Sequence, residues 1–279
     1  MLSLLTATVV ALTAIQQGSL TDEADVATHG DVSGNPLVYS GRAGSLAITI
    51  PRVEDPNITI DGRLDDPVWK SAAVLTDFTQ YEPVEGIPST EETQVRVFYS
   101  GDAIYFAIRA WDSEPDLILA RLGERDRAVF TDDWIRIMLD TFDDQRQAYV
   151  FYVNPLGIQV DGLWIEGMRS RFGRRSAVSI DFNPDFIWES DGRVIADGWT
   201  AEMKIPYASL RFREVSVQDW GLSVSRGVRR KEFKQSWAPL TQDVSSTLAQ
   251  AGKLVGLRDI KPRKLVEINP VATGIRRGQ

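Results

Sequence analysis

The chain has 279 residues, 43% of them hydrophobic and 25% charged, a balance that supports a packed core and excludes wholesale disorder. It holds no cysteine and a single histidine, His29, which excludes disulfides, thiolate zinc sites, cysteine nucleophiles and multi-histidine metal centres. A net charge of −8 argues against a nucleic-acid partner and leaves oxygen ligands, hence calcium or magnesium, as the accessible metal chemistry. In chain order, Leu2–Ile15 is an uncharged apolar run. It is shorter than the ~20 residues of a membrane-spanning helix and matches the core of a secretory signal peptide, although no Lys or Arg precedes it. Residues 1–18 are therefore expected to direct export. Residues 19–45 carry Asp22, Glu23, Asp25 and Asp31 among scattered glycines, and their weak apolar periodicity predicts a solvated linker. His29 falls inside it, which weakens every histidine-dependent mechanism.

From Leu46 the pattern becomes one of strands. Ile104, Phe106, Ile108 and Ala110 share one face of a segment whose other face carries Tyr105, Ala107, Arg109 and Trp111, the period of two that defines a strand. The same alternation recurs over 134–139, 148–153, 199–205 and 220–226. Turn signals separate these runs at Ser100–Asp102, Asn154–Gly157, Ser190–Gly192 and Asp197–Gly198. Helical turns are short, one at Asp65–Lys70 with Pro67 near its first position and one at Tyr207–Leu210. Many short strands with regular turns predict an all-β fold, an antiparallel sandwich of immunoglobulin-like or jelly-roll type with few short helices, over residues 46–262.

Several residues are candidates for chemistry. Trp111 and Trp164 stand at strand ends beside polar loops, where an indole can serve as a sugar platform or as a rim residue. Trp69, Trp199, Trp220 and Trp237 read as core. The acidic band from Asp112 to Asp144 offers Asp112, Asp132 and Asp133 as oxygen ligands for a structural calcium ion, without EF-hand spacing. Glu202 is set opposite Ala201 and Met203 by strand alternation, which predicts a solvent-facing or ion-paired carboxylate rather than a tuned catalytic acid. No P-loop, nucleophile elbow or dinucleotide fingerprint is present.

The segment Ile58-Thr59-Ile60-Asp61-Gly62-Arg63-Leu64-Asp65-Asp66-Pro67-Val68-Trp69 resembles the opening of the carbohydrate-binding modules of family 9. Thr93–Tyr99 with Ala103–Asp112, Thr131–Asp140, Gly198–Pro206 and Gly252–Leu257 resemble later blocks of that family, in order. The resemblance implies a non-catalytic sugar-binding sandwich. It places Phe130 at the first ring of the family's aromatic clamp, Arg136 and Tyr149 near its polar positions, and Ser245 where a second ring belongs. Asn154–Gly157, Ser209–Phe212 and Ile260–Leu265 are similar to a group of bacterial envelope proteins in which the module precedes an outer-membrane barrel. Residues 263–279, with a strand at Leu265–Ala272, would then begin a barrel domain, and the chain would be a fragment of a longer protein exported to the periplasm or outer membrane. The implied ligand is a glycan or another envelope component, in the service of polysaccharide binding and catabolism. Two alternatives stand beside this: a structural envelope domain whose sugar site is lost, and a part of a glycoside hydrolase.

Overall fold

The computed structural model describes residues 36–123, 125, 131–167 and 180–260. The expectations for the signal peptide, His29, Phe130 and Leu265–Ala272 lie outside the described residues. In chain order the strands are β1 (Val38–Ser40), β2 (Ala47–Ile48), β3 (Ala73–Thr76), β4 (Thr79–Glu82), β5 (Ile87–Pro88), β6 (Thr93–Tyr99), β7 (Ala103–Trp111) and β8 (Trp134–Asp140). They continue with β9 (Gln147–Val153), β10 (Gln159–Ile165), β11 (Ile180–Asp181), β12 (Glu189–Ile195), β13 (Gly198–Pro206), β14 (Val217–Val228), β15 (Phe233–Ser236) and β16 (Gly252–Arg258). The expected short turns are present as 3₁₀ segments at Pro67–Lys70 and Tyr207–Ser209.

Two sheets form an all-β sandwich. The first runs in the order β1-β3-β6-β7-β13-β12, the second β11-β10-β9-β8-β14-β15-β4-β5, with β16 paired to β14 and β2. Pairing is antiparallel except for the short β1/β3 and β2/β16 contacts. β1 lies inside the segment expected to be linker, so the folded region starts before residue 46. Its backbone is tied down at Val38–Ser40 by pairing with Val74–Thr76. A second correction concerns Ser190–Gly192, which is not a turn but part of β12. Its glycine serves another need: a Cβ on Gly192 would stand 2.7 Å from the backbone nitrogen of Gly157 and 2.8 Å from the carbonyl oxygen of Pro155, a close backbone approach of the kind that keeps glycine within a strand.

The core between the sheets follows the alternation residue by residue. Phe106, Ile108, Trp199, Ala201 and Met203 from the first sheet meet Ile135, Ile137, Phe151, Trp220 and Leu222 from the second. Burying each large apolar side chain contributes roughly 1.5–3 kcal/mol. The outer faces are covered too. Across the first sheet, residues 58–70 lay Ile58, Ile60, Leu64, Val68 and Trp69 against Phe98, Tyr105 and Ala107, with Phe98 and Tyr105 stacked at 4.6 Å.

This outer layer reverses the expectation for Glu202. It does point away from Ala201 and Met203, but the face it occupies is roofed, and Glu202 is fully buried. Its Oε2 accepts the backbone N–H groups of Asp61 and Gly62, each at 3.0 Å, and its Oε1 accepts Trp69 Nε1–H at 2.7 Å. The Asp61-Gly62 turn and the Trp of the opening segment are thus held by one carboxylate on β13. Burial pushes that carboxyl up to about 7, against the pull of the three donors. Gly62 has φ +75°, and a Cβ there would meet the backbone of Gly192 at 3.0 Å, so both backbone conformation and space require glycine.

Candidate functional site

The outer face of the second sheet carries an aromatic wall. Alternation that sends Ile135, Ile137 and Leu139 into the core sends Trp134, Arg136 and Met138 outward on β8. Register then sets Tyr152 of β9 beside Arg136, and Val160 of β10 beside Tyr152. Trp164, two pairs along β10 from Gly162, completes the wall. The Arg136 guanidinium carbon lies 5.9 Å from the Trp134 ring centre and 5.6 Å from that of Trp164, inside cation–π range of both indoles. Trp134 meets Tyr152 edge-on at 5.4 Å. Arg136 Nη2 donates to Ser225 Oγ at 3.1 Å. Its Nε, buried, has no hydrogen-bond partner among the described residues.

A cavity of about 430 Å³ opens over this wall, with Tyr81, Glu82, Arg229, Lys234 and Thr247 joining the residues above. Lys234 and Glu82 pair at 2.7 Å on the rim. Burial pushes the Tyr81 phenol up to about 12, so it remains a neutral O–H donor at physiological pH. One carboxylate organises the far side: Glu166 Oε1 accepts Trp164 Nε1–H at 3.0 Å and the backbone N–H of Leu248 at 2.9 Å. The indole and the loop over it are therefore anchored to the same atom. Flat ring faces beside fixed donors are what a saccharide requires. Its apolar ring face stacks on an aromatic ring, and its hydroxyls take hydrogen bonds from side chains already held in place.

The expected site residues scatter. Arg136 and Trp164 come together in this cavity. Tyr149 does not, because it shares the inner face with Phe151 and Val153; it is packed edge-on to Phe186, and its hydroxyl accepts the Arg211 backbone N–H at 2.8 Å. Trp111 is on the outer face of the other sheet, with the Arg109 guanidinium 4.8 Å over its ring, so it cannot join Arg136. Ser245 is exposed and bears no ring. Sequence reasoning missed Tyr81, Trp134 and Tyr152. The polar-face alternation of β8 and β9 was the available signal for the last two, while Tyr81 depends on how β4 meets β15. A larger hollow of about 770 Å³ over the first sheet is lined by charged residues such as Arg52, Glu54, Asp102 and Lys204. Its one ring, Tyr105, is 3% exposed and offers no free face for stacking.

The three candidate metal ligands do not fit a calcium site. Asp112 accepts both Arg230 nitrogens, at 2.7 and 2.6 Å. Burial would raise its carboxyl, but the Arg230 fork outweighs this and holds it below the usual range. Asp132 Oδ2 accepts the Arg121 backbone N–H at 2.9 Å and Asn154 Nδ2 at 3.0 Å. Asp133 Oδ1 accepts the Arg229 backbone N–H at 2.8 Å, and burial pushes its carboxyl up to about 6. All three carboxylates lie beside arginines that would repel a cation: Asp112 beside Arg226 and Arg230, Asp133 near the same two, and Asp132 beside Arg121. Among the described residues no group of three or more acids or histidines is placed to hold a metal ion.

No family model matches the sequence, and no curated protein matches it. Solved structures do. A proposed carbohydrate-binding protein from Bacteroides uniformis superimposes with a TM-score of 0.55 at 12% identity, over 75% of this chain and 98% of its own. A carbohydrate-binding module of family 9 from Caldicellulosiruptor kristjanssonii, in complex with cellotriose, matches at 14% identity and a TM-score of 0.49, over 79% of this chain and 99% of its own. The same module with glucose matches at 13% identity and 0.48, over 78% and 100%. The likeness is one of fold: this chain shares its sandwich architecture with the Bacteroides uniformis protein.

Proposed function

We propose that this domain is a non-catalytic carbohydrate-binding module that receives a saccharide against the Trp134–Trp164 wall. The observation that carries the reading is the placement of Arg136 between two indoles on the floor of a cavity also lined by Tyr81 and Tyr152. The fold shared with the Bacteroides uniformis protein supports it. Calorimetric titration of the folded chain against a panel of oligosaccharides tests it. Millimolar or tighter binding that is lost in Trp164→Ala is expected, and no binding to any saccharide at millimolar concentration would remove the proposal.

The domain belongs, in this reading, to an exported envelope protein, as the apolar Leu2–Ile15 run suggests, and precedes an outer-membrane barrel in the full-length protein. The likeness of Asn154–Gly157 and Ile260–Leu265 to such proteins supports that arrangement. Cell fractionation of the native protein, together with a search for amphipathic strands in the gene beyond Gln279, tests both points.

A further inference from the structure

The charge of the cavity is opposite to that of the chain. The chain carries −8, yet the charged side chains lining the cavity are Arg136, Arg229 and Lys234 against the carboxylate of Glu82, while Glu166 stands behind Trp164, engaged by its indole and by Leu248. Lys234 and Glu82 neutralise each other on the rim. Two guanidiniums remain. Arg136 is 8% exposed and has no acid within ion-pair distance among the described residues, Glu82 acting on it only from farther off. It is held by stacking, by Ser225 and by the Tyr152 hydroxyl, with its Nε unpartnered among the described residues. The Arg229 side chain is exposed and has no ion pair among the described residues; its backbone is engaged, the N–H by Asp133 and the carbonyl by the Glu232 N–H.

Hydroxyl recognition needs no net charge, because amides, carboxylates and hydroxyls can satisfy sugar hydroxyls. Two guanidiniums without an ion pair among the described residues, one of them desolvated between indoles, favour a ligand that brings its own anion. The planar fork of arginine matches the geometry of a carboxylate or sulfate.

We propose that the saccharide taken by this cavity is acidic, a sugar bearing a carboxylate or an ester sulfate that sits between Arg136 and Arg229 while its ring stacks on the indoles. The inference rests on the carbohydrate-binding reading and narrows it to a substrate class. Calorimetric titration of the full chain with an oligogalacturonate, a sulfated oligosaccharide and cellotriose, each of similar length, tests it. The expected result is a Kd for at least one acidic ligand at least about tenfold below that of cellotriose, equivalent to ~1.4 kcal/mol. That preference should shrink as salt rises from low to high ionic strength and fall at least about tenfold in Arg229→Ala, whose exposed side chain can be removed without disturbing the core. Which acidic ligand binds distinguishes carboxylate from sulfate. Cellotriose binding as tightly as both acidic ligands, or a preference that Arg229→Ala leaves unchanged, overturns the acidic reading alone. Failure of all three ligands to bind overturns the acidic reading, and binding of other saccharides would then still separate it from the general one.

Discussion

The indole of Trp134 occupies the space that a side chain at position 227 would take. The two residues are cross-strand partners on β8 and β14, and a Cβ built on Gly227 would stand 2.3 Å from ring carbon Cε2 and 2.5 Å from Nε1. Glycine at this point is therefore what lets the ring lie over the sheet and wall the cavity.

Gly227→Ala should displace the Trp134 ring while leaving the sandwich folded. Overpacking of this kind costs about 1–3 kcal/mol of stability, read as a lowered Tm. Saccharide affinity should weaken about tenfold or more, with a change in near-ultraviolet circular dichroism from the moved indole. Unaltered affinity together with an unaltered aromatic signal would show that the ring does not depend on this gap.

Trp164→Ala and Trp111→Ala should part company. The first removes a cavity ring and the stacking it provides; burial of a large aromatic face is worth roughly 1.5–3 kcal/mol, so affinity should fall about ten- to a hundredfold. The second changes a ring on the other sheet, packed under Arg109, and should leave saccharide titrations where they were. Equal losses in the two variants would relocate the site.

The buried carboxyl of Glu202, raised to about 7, predicts a particular pH dependence. An ordinary glutamate in the unfolded chain releases its proton near 4.5. Between that value and about 7 the native state holds a proton the unfolded state has lost, so this group's contribution to stability declines as pH climbs through the window and is level on either side. The full decline is on the order of 3 kcal/mol. Glu202→Gln should abolish this sloping component in urea melts recorded from pH 4 to pH 8. It should also destabilise the fold at low pH by about 1–3 kcal/mol, because an amide nitrogen would face one of the three N–H donors. Parallel pH profiles for the two proteins would rule the carboxyl out as their cause.

Arg226 ties the two sheets together from the inside. It is fully buried, its Nη1 donates to the Glu92 carbonyl at 3.0 Å and to Thr93 Oγ1 at 3.1 Å, and its Nη2 lies 3.6 Å from Asp112. Arg226→Ala leaves neighbouring Asp112 and Asp133 without that charge and should cost about 3–5 kcal/mol in chemical denaturation. A loss below about 1 kcal/mol would mean that Arg230 alone compensates these carboxylates.

The strands were legible in the linear order of residues because burial on one face imposes a period of two, and segments such as 103–111, 134–140 and 198–206 show it plainly. The core tryptophans Trp199 and Trp220 followed from the same rule, as did the 3₁₀ turn that Pro67 opens. Alternation assigns a side chain to a face, however, and is silent on what covers that face. Glu202 was placed on the right side of β13, yet it is buried, because residues 58–70 return across the sheet more than a hundred positions away in sequence. The same limit governed the site. Tyr149 and Tyr152 lie on one strand three residues apart and point to opposite sides of the sheet. Trp111 and Trp164 both end strands but stand on opposite outer faces. Only the pairing of β8 with β14 and β9, and of β15 with β4, gathered Trp134, Arg136, Tyr152 and Tyr81 around one cavity, since register between distant strands is set by the packing of the whole sandwich and not by any stretch of chain within it.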